Sequence, residues 1–185
     1  MSHYMNIDKK HIAGYKIIKY GSDAVQEITA YDDTWDDLLG SEIEFIPNNP
    51  EFVIFEYNFW IHSSLNSYPY NDEYRLELRL VYSEDGGSSW TNFAGTAPSN
   101  NTAVDSHVMF GQTKKFKLGM VKHVSFCLPG WGNTKRTLKL QGQTQSSAAY
   151  NPFLHRITNF KNASGTTETN TNFYRPTVSC YEVFQ

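Results

Sequence analysis

The chain has 185 residues and a formal net charge of −3 at neutral pH, a length that fits one ordinary domain. Aromatic residues make up 15% of the chain and charged residues only 19%. This composition excludes a disordered chain, because such chains are poor in aromatic residues and rich in charge. The negative net charge argues against a dedicated nucleic-acid binder, which usually carries a clear basic excess, so we expect no nucleic-acid partner.

The sequence shows no signal for export or for a membrane span. The first sixteen residues lack the apolar core that a signal peptide needs. The longest apolar run, residues 52–61, is too short to span a bilayer and contains Glu56 and Asn58. We therefore expect no membrane partner and no secretion. In that setting Cys127 and Cys180 are expected to be reduced, mostly buried thiols, with a disulfide between neighbouring strands as the open alternative.

The first forty residues predict an extended arm that ends in one short helix. Residues 34–40 are the best helix candidate, because Thr34 could cap it, Asp36 and Asp37 would lie in its first turn, and Gly40 could end it. Together with Asp32 and Asp33 these carboxylates could instead hold calcium. Their spacing is not that of an EF-hand loop, so a solvated turn is favoured over a metal site.

Everything after residue 40 predicts β-strands. Period-two alternation is clearest in residues 74–82, where tyrosines and leucines face one way and charged side chains the other. Further strands are predicted at residues 42–46, 52–61, 108–110, 116–120, 124–128, 137–141, 154–160 and 177–183. Polar, turn-rich linkers separate them. The pattern predicts an all-β fold, an antiparallel β-sandwich of jelly-roll type at residues 41–185, with residues 1–40 as the arm and at most one short helix.

The strand at residues 52–61 has apolar residues on both faces, although a strand in a two-layer sandwich needs only one apolar face. The odd positions are all apolar, and the even positions include two aromatic residues. Either the N-terminal segment or a neighbouring subunit should cover the second face. The interface candidates are therefore Phe52, Ile54, Trp60, Tyr15 and Ile17.

No motif predicts an active site. Residues 83–90 match the Asp-box pattern that sialidases carry on hairpin turns, but one copy in a short chain favours a structural hairpin whose turn amides bind Asp85. No histidine pair has a metal-binding spacing, and no nucleophile elbow, phosphate loop or dinucleotide loop is present. The sequence thus predicts no catalytic residue, no metal and no cofactor, and a protein that is not an enzyme.

Loop residues supply the remaining candidates for binding. Aromatic side chains in polar loops can stack on sugars or anchor protein interfaces, and the candidates for such loop-tip contacts are Trp131, Tyr150, Phe153 and Tyr174. Two basic clusters, residues 114–117 and 135–139, could contact phosphates. Without a positive net charge, solvated turns are favoured for both clusters.

Several segments, taken in order, carry a resemblance to a known class. They read Trp-Asp-Asp-Leu-Leu-Gly-Ser, Ile-Pro-Asn-Asn-Pro, Leu-Arg-Leu-Val-Tyr-Ser-Glu-Asp-Gly-Gly-Ser-Ser-Trp, Lys-Leu-Gln-Gly-Gln and Arg-Pro-Thr-Val-Ser-Cys-Tyr-Glu-Val. From roughly residue 40 to residue 185 the chain resembles the small jelly-roll proteins of tailed-phage virions, which serve as head decorations or fibre heads. Its strand rhythm is similar to that of the C1q and tumour-necrosis-factor-like trimers.

The resemblance implies a non-enzymatic structural role in a phage particle. It implies a homotrimer that associates through aromatic sheet faces and contacts other virion proteins, with the virion as its location. The alternative is a carbohydrate-binding or receptor-binding module that recognises host glycans through its loop aromatics.

Overall fold

The computed structural model describes residues 17–20, 26–30, 34–63, 74–93, 107–112, 120–144, 152–155 and 175–184. Throughout these ranges the regular structure is β-strand and no helix is present. The strands are β1 Ile17–Tyr20, β2 Gln26–Glu27, β3 Asp36–Asp37, β4 Ile43–Phe45, β5 Phe52–Ser63, β6 Tyr74–Ser83, β7 Thr91–Asn92, β8 His107–Gln112, β9 Met120–Pro129, β10 Arg136–Thr144, β11 Pro152–Leu154 and β12 Thr177–Val183.

The strands form two sheets, and every pairing is antiparallel. In the first, called sheet A, β5 pairs with β9 along one edge and with β12 and then β11 along the other. β1 extends sheet A beyond β12, and β2 extends it beyond β11. In the second, called sheet B, β10 lies between β6 on one side and β3 and β4 on the other, while β7 and β8 pair with the far edge of β6.

The chain alternates between the two sheets. It passes from β4 in sheet B to β5 in sheet A, back to β6, then from β8 to β9, β10 and finally β12. The long strands therefore lie in the orders β1-β12-β5-β9 and β4-β10-β6-β8. This connectivity is that of a double-sheet jelly roll, and the predicted all-β antiparallel sandwich is confirmed.

The core lies between the inner faces of the two sheets. All five odd-numbered side chains from Val53 to Ile61 on β5 are fully buried, as are the alternate leucines of β6 and β10. Because successive side chains of a strand point to opposite faces, a period of two places one apolar row of each strand in the core. The alternation in residues 74–82 thus predicted the inner row of β6, which contains Leu76, Leu78 and Leu80.

The helix predicted at residues 34–40 is wrong. Asp36 and Asp37 form β3 and pair with β10. The Asp36 carboxylate accepts hydrogen bonds from the backbone N–H groups of Thr29 and Ala30, at 2.8 and 3.0 Å, rather than from a helical first turn. Gly40 takes a φ of 77° and turns the chain after the buried Leu38. Tertiary pairing has overridden a weak local preference.

The described part of the first forty residues belongs to the two sheets. β1 pairs with β12, β2 with β11, and β3 with β10. The predicted division into an arm at residues 1–40 and a domain at residues 41–185 stays a prediction, and residues 1–16 lie outside the described residues. Most of the strands predicted at 116–120 and 154–160 lie outside them as well.

Candidate functional site

Within the described residues, the outer face of sheet A has an unusual surface, formed by the outward side chains of β5, β9 and β12. On β5, Phe52 is 36% exposed, and Ile54 and Trp60 are half-buried. The strand register places Val121 of β9 opposite Trp60, and Val121 is 50% exposed. A strand whose inner row is fully buried therefore carries a second apolar row on its outer side.

An ordered polar row crosses this apolar face. The Glu56 carboxylate accepts hydrogen bonds from the hydroxyl groups of Tyr181, at 3.1 Å, and Ser179, at 3.2 Å. In the next row, Asn58 lies 2.9 Å from the ring Nδ1 of His123 and donates to the Thr177 hydroxyl at 3.2 Å. The pKa of Tyr181 is raised, chiefly by burial and also by its hydrogen bond to Glu56. The polar groups of the face are thus bonded to each other within one chain.

The interface candidates fall into three groups. Phe52, Ile54 and Trp60 lie on the outer face of sheet A, as an interface requires. Ile17 does not, because it pairs with the buried Cys180 and packs against the core. β1 therefore extends the edge of sheet A and does not lie across β5. Tyr15 lies outside the described residues.

The two cysteines occupy opposite faces of sheet A. Cys180 is fully buried, and burial raises the pKa of its thiol well above the usual range. Cys127 is exposed, because the buried row of β9 is Val124, Phe126 and Leu128. The expectation of two mostly buried thiols is wrong for Cys127. Both cysteines are free, and their side chains point to opposite sides of the sheet, which excludes a disulfide between them within one chain.

The two loop-tip candidates that lie in the described residues are less accessible to a sugar or a protein partner than the sequence indicates. Trp131 is half-buried and closes one end of the core, with its ring centroid 6.3 Å from that of Phe45 and 5.6 Å from that of Phe93. Its indole N–H donates to the Thr134 carbonyl at 2.9 Å. Phe153 lies in β11 between β5 and β2, not at a loop tip. Tyr150 and Tyr174 lie outside the described residues.

The basic cluster at residues 135–139 is neutralised by carboxylates of neighbouring strands and loops. Lys135 pairs with Glu44 at 2.8 Å, and Lys139 pairs with Asp37 at 2.6 Å. The remaining basic residue, Arg136, pairs with Glu84. This pairing favours the solvated-turn interpretation over a phosphate site. The cluster at residues 114–117 lies outside the described part of the chain.

The Asp-box segment forms the turn between β6 and β7. The Asp85 carboxylate accepts hydrogen bonds from the backbone N–H groups of Ser88 and Ser89, at 3.0 and 2.9 Å, and from the Ser83 and Ser89 hydroxyls. The side-chain hydrogen bonds from Ser83 and Ser89 hold the pKa of Asp85 well below its usual range. Beside this turn lies a polar cavity of about 270 Å³, lined by Tyr82, Ser83, Glu84, Asp85, Ser89 and Thr91. Two carboxylates line this cavity. Asp85 already binds the turn and Glu84 already pairs with Arg136, as expected for a structural hairpin.

One buried titratable residue was missed by sequence reasoning. His155 is fully buried with a φ of 68°, and its Nε2 lies 3.3 Å from the Tyr57 hydroxyl oxygen and 3.2 Å from the Leu39 carbonyl oxygen. Burial lowers the pKa of His155 to about 4. The residue follows β11 and fastens the turn after β3 to sheet A, so its contacts indicate a structural role.

Comparison with known proteins adds no family assignment: no protein-family model and no curated protein matches the sequence. In the part of the chain that the structure describes, no helix is long and apolar enough to cross a membrane. The same described residues contain no group of three or more His, Cys, Asp or Glu side chains placed to hold a metal ion. The molecule is thus defined by its fold, an antiparallel jelly-roll sandwich, and by the apolar outer face of sheet A.

Proposed function

We propose that the protein is a non-enzymatic structural component of a phage particle, a capsid decoration or a fibre head. In this proposal it assembles as a homotrimer through the outer face of sheet A and docks on other virion proteins. The observation that carries the proposal is the second apolar row of β5 and β9, at Phe52, Ile54, Trp60 and Val121. The virion setting is supported by the sequence resemblance and by a fold type that viral capsid proteins share.

Apolar side chains on this face favour a protein partner because burying them removes apolar surface from water. Full burial of one such side chain contributes roughly 1.5–3 kcal/mol, and the partial exposure of Phe52, at 36%, and Val121, at 50%, sets a smaller gain for each. Tyr181 and Ser179 already donate hydrogen bonds to the Glu56 carboxylate, which reduces the cost of burying this polar row but leaves the cost of desolvating the carboxylate for the apolar contacts to offset. In a trimer, the corresponding faces of the neighbouring copies meet around the threefold axis and supply matching apolar surface.

The solution mass of the protein tests self-association. Light scattering after size exclusion should give about three times the chain mass of 21.2 kDa. Val121→Glu places a charge on the face beside Trp60 without touching the core, and we expect it to give a monomer. Ile46→Glu is the matched control: Ile46 is 54% exposed, close to the 50% of Val121, but lies after β4, away from the outer face of sheet A.

A trimer that survives Ile46→Glu and dissociates with Val121→Glu supports the proposal. A wild-type monomer at micromolar concentration, or equal dissociation by both substitutions, contradicts assembly through this face. Circular dichroism of both variants checks that neither substitution has unfolded the sandwich.

A further inference from the structure

The opposite surface, the outer face of sheet B, has a different chemistry. We propose that it binds a neutral oligosaccharide, laid across the sheet between Trp35 and Trp90. The other side chains that form this ligand-binding face are Asp37, Glu77, Arg79, Gln141 and Gln143. Lys139, whose side chain is 9% exposed, lies beneath them and holds Asp37 and Trp90 in place. This inference does not depend on self-association, because it concerns the other sheet.

A continuous series of contacts joins the two tryptophans. The Lys139 ammonium lies 3.6 Å from the centroid of the Trp90 ring and 2.6 Å from the Asp37 carboxylate. Gln141 donates to Asp37 at 2.7 Å and accepts a hydrogen bond from the Nε of Arg79 at 2.8 Å. The Arg79 guanidinium in turn lies 4.3 Å from the centroid of the Trp35 ring.

These contacts fix the side chains before any ligand arrives. A rigid set of donors and acceptors binds with a smaller loss of side-chain entropy than a mobile one. The fixed groups keep further capacity: each carboxylate oxygen can accept more than one hydrogen bond, and a guanidinium carries five N–H donors. The side chain of Asp37 is 55% exposed, so its oxygens are open to a ligand.

Charge and polarity select a neutral, hydroxyl-rich ligand. Among the described side chains of this face, Arg79 and Lys139 are balanced by Asp37 and Glu77, and the Lys139 ammonium already has a carboxylate partner, so these four groups carry no net charge that would attract an anion. An apolar protein partner would bury these polar groups at a cost. Sugar hydroxyls both donate and accept, which matches an array in which carboxylates and amides alternate with cationic donors.

The tryptophans add stacking surfaces at the two ends of the array. Both indoles are half-buried, and one face of each ring contacts a cation. The negative face of an aromatic ring attracts the weakly positive C–H groups of a pyranose, and the contact also buries apolar surface. From Lys139 to Gln143 the strand rises about 13 Å, which is long enough for a short oligosaccharide.

The test begins with a glycan array probed with the tagged full-length protein, followed by calorimetric titration of the neutral glycan with the strongest signal. We expect binding to a neutral glycan, and we expect Trp35→Ala and Trp90→Ala each to weaken it at least tenfold. Trp131→Phe is the matched control, because Trp131 packs on Phe45 and Phe93 at one end of the core. Its affinity should equal that of the wild type.

Thermal melting of each variant guards against loss of the fold. Should Trp90→Ala melt early, Trp35→Ala and Asp37→Asn carry the test, because they alter the edge of sheet B and leave the core intact. The proposal is overturned by an array without a signal above background, by binding to anionic glycans alone, or by an affinity that the Trp35 and Asp37 substitutions leave unchanged.

Discussion

Single buried residues give this sandwich properties that its strand pattern does not reveal. His155 is fully buried and contacts Tyr57 and the turn after β3, yet nothing in the local sequence sets it apart from the other five histidines. Because a carbonyl oxygen only accepts hydrogen bonds, the contact with Leu39 requires the hydrogen on Nε2. Burial lowers the pKa of His155 to about 4 and so keeps the imidazole neutral at neutral pH, and this has a consequence for the pH dependence of stability.

The free energy of unfolding should fall as the pH drops from about 6.5 to about 4. Burial lowers the pKa of His155 to about 4 in the fold, against about 6.5 in the unfolded chain. The unfolded chain therefore binds more protons in this window. The stability that the neutral His155 contributes is fully present above the window, and up to about 3 kcal/mol of the free energy of unfolding is lost below it. Urea unfolding at several pH values measures this slope.

Two substitutions separate the titration of His155 from its packing. His155→Asn removes the titrating ring and keeps a residue that tolerates the observed φ of 68°, so the slope between pH 6.5 and 4 should flatten. Tyr57→Phe removes a hydroxyl contact but leaves His155 buried, so the slope should remain. An unchanged slope in His155→Asn would assign the acid sensitivity to other groups.

Gly130 is required by the close approach of two backbone segments. A Cβ atom there would lie 1.9 Å from the Pro50 carbonyl oxygen and 3.0 Å from that of Glu51. Gly130→Ala should therefore destabilise the fold by about 3 kcal/mol or more. Gly86→Ala is the control: its Cβ meets nothing within 4 Å, and its φ of 71° costs only about 1 kcal/mol. Equal losses, measured by urea unfolding, would contradict this explanation.

At the scale of the element, period-two patterns correctly predicted which side chains are buried wherever a strand lies at the centre of a sheet. The odd positions of β5 and the alternate leucines of β6 were predicted correctly because burial between two sheets imposes a strict period. Residues 34–40 were mispredicted because capping residues also suit strand ends. Asp36 binds the amides of Thr29 and Ala30, seven and six residues earlier in the chain, a partnership that local sequence does not specify.

The hairpin between β6 and β7 depends on one carboxylate. Asp85→Ala removes the acceptor for the amides of Ser88 and Ser89, so hydrogen exchange of these two amides should accelerate strongly while exchange in β10 stays slow. Ser88→Ala keeps the Asp85 carboxylate, and both amides should remain protected. Unchanged exchange in Asp85→Ala would show that other contacts maintain the turn.

At the scale of the whole molecule, the fold class could be predicted from the sequence. Which residues lie together on the outer faces of the two sheets could be predicted only in part. The two apolar faces of β5 indicated an outer surface that needs a partner, and Phe52, Ile54 and Trp60 lie there. The sequence did not indicate that Val121 and Cys127 would join them, because strand register is set by tertiary pairing. Nor did it reveal the series of contacts from Trp90 to Trp35, which crosses three strands of sheet B.

The central claim, that a second copy covers the outer face of sheet A, is tested most directly by the reaction rate of Cys127. This thiol is exposed in the single chain and lies opposite Ile54, whereas Cys180 is buried and serves as an internal control. We predict that labelling of Cys127 by a maleimide slows as the protein concentration rises, and that Val121→Glu restores a fast, concentration-independent rate. A wild-type rate that does not change with concentration would contradict the account.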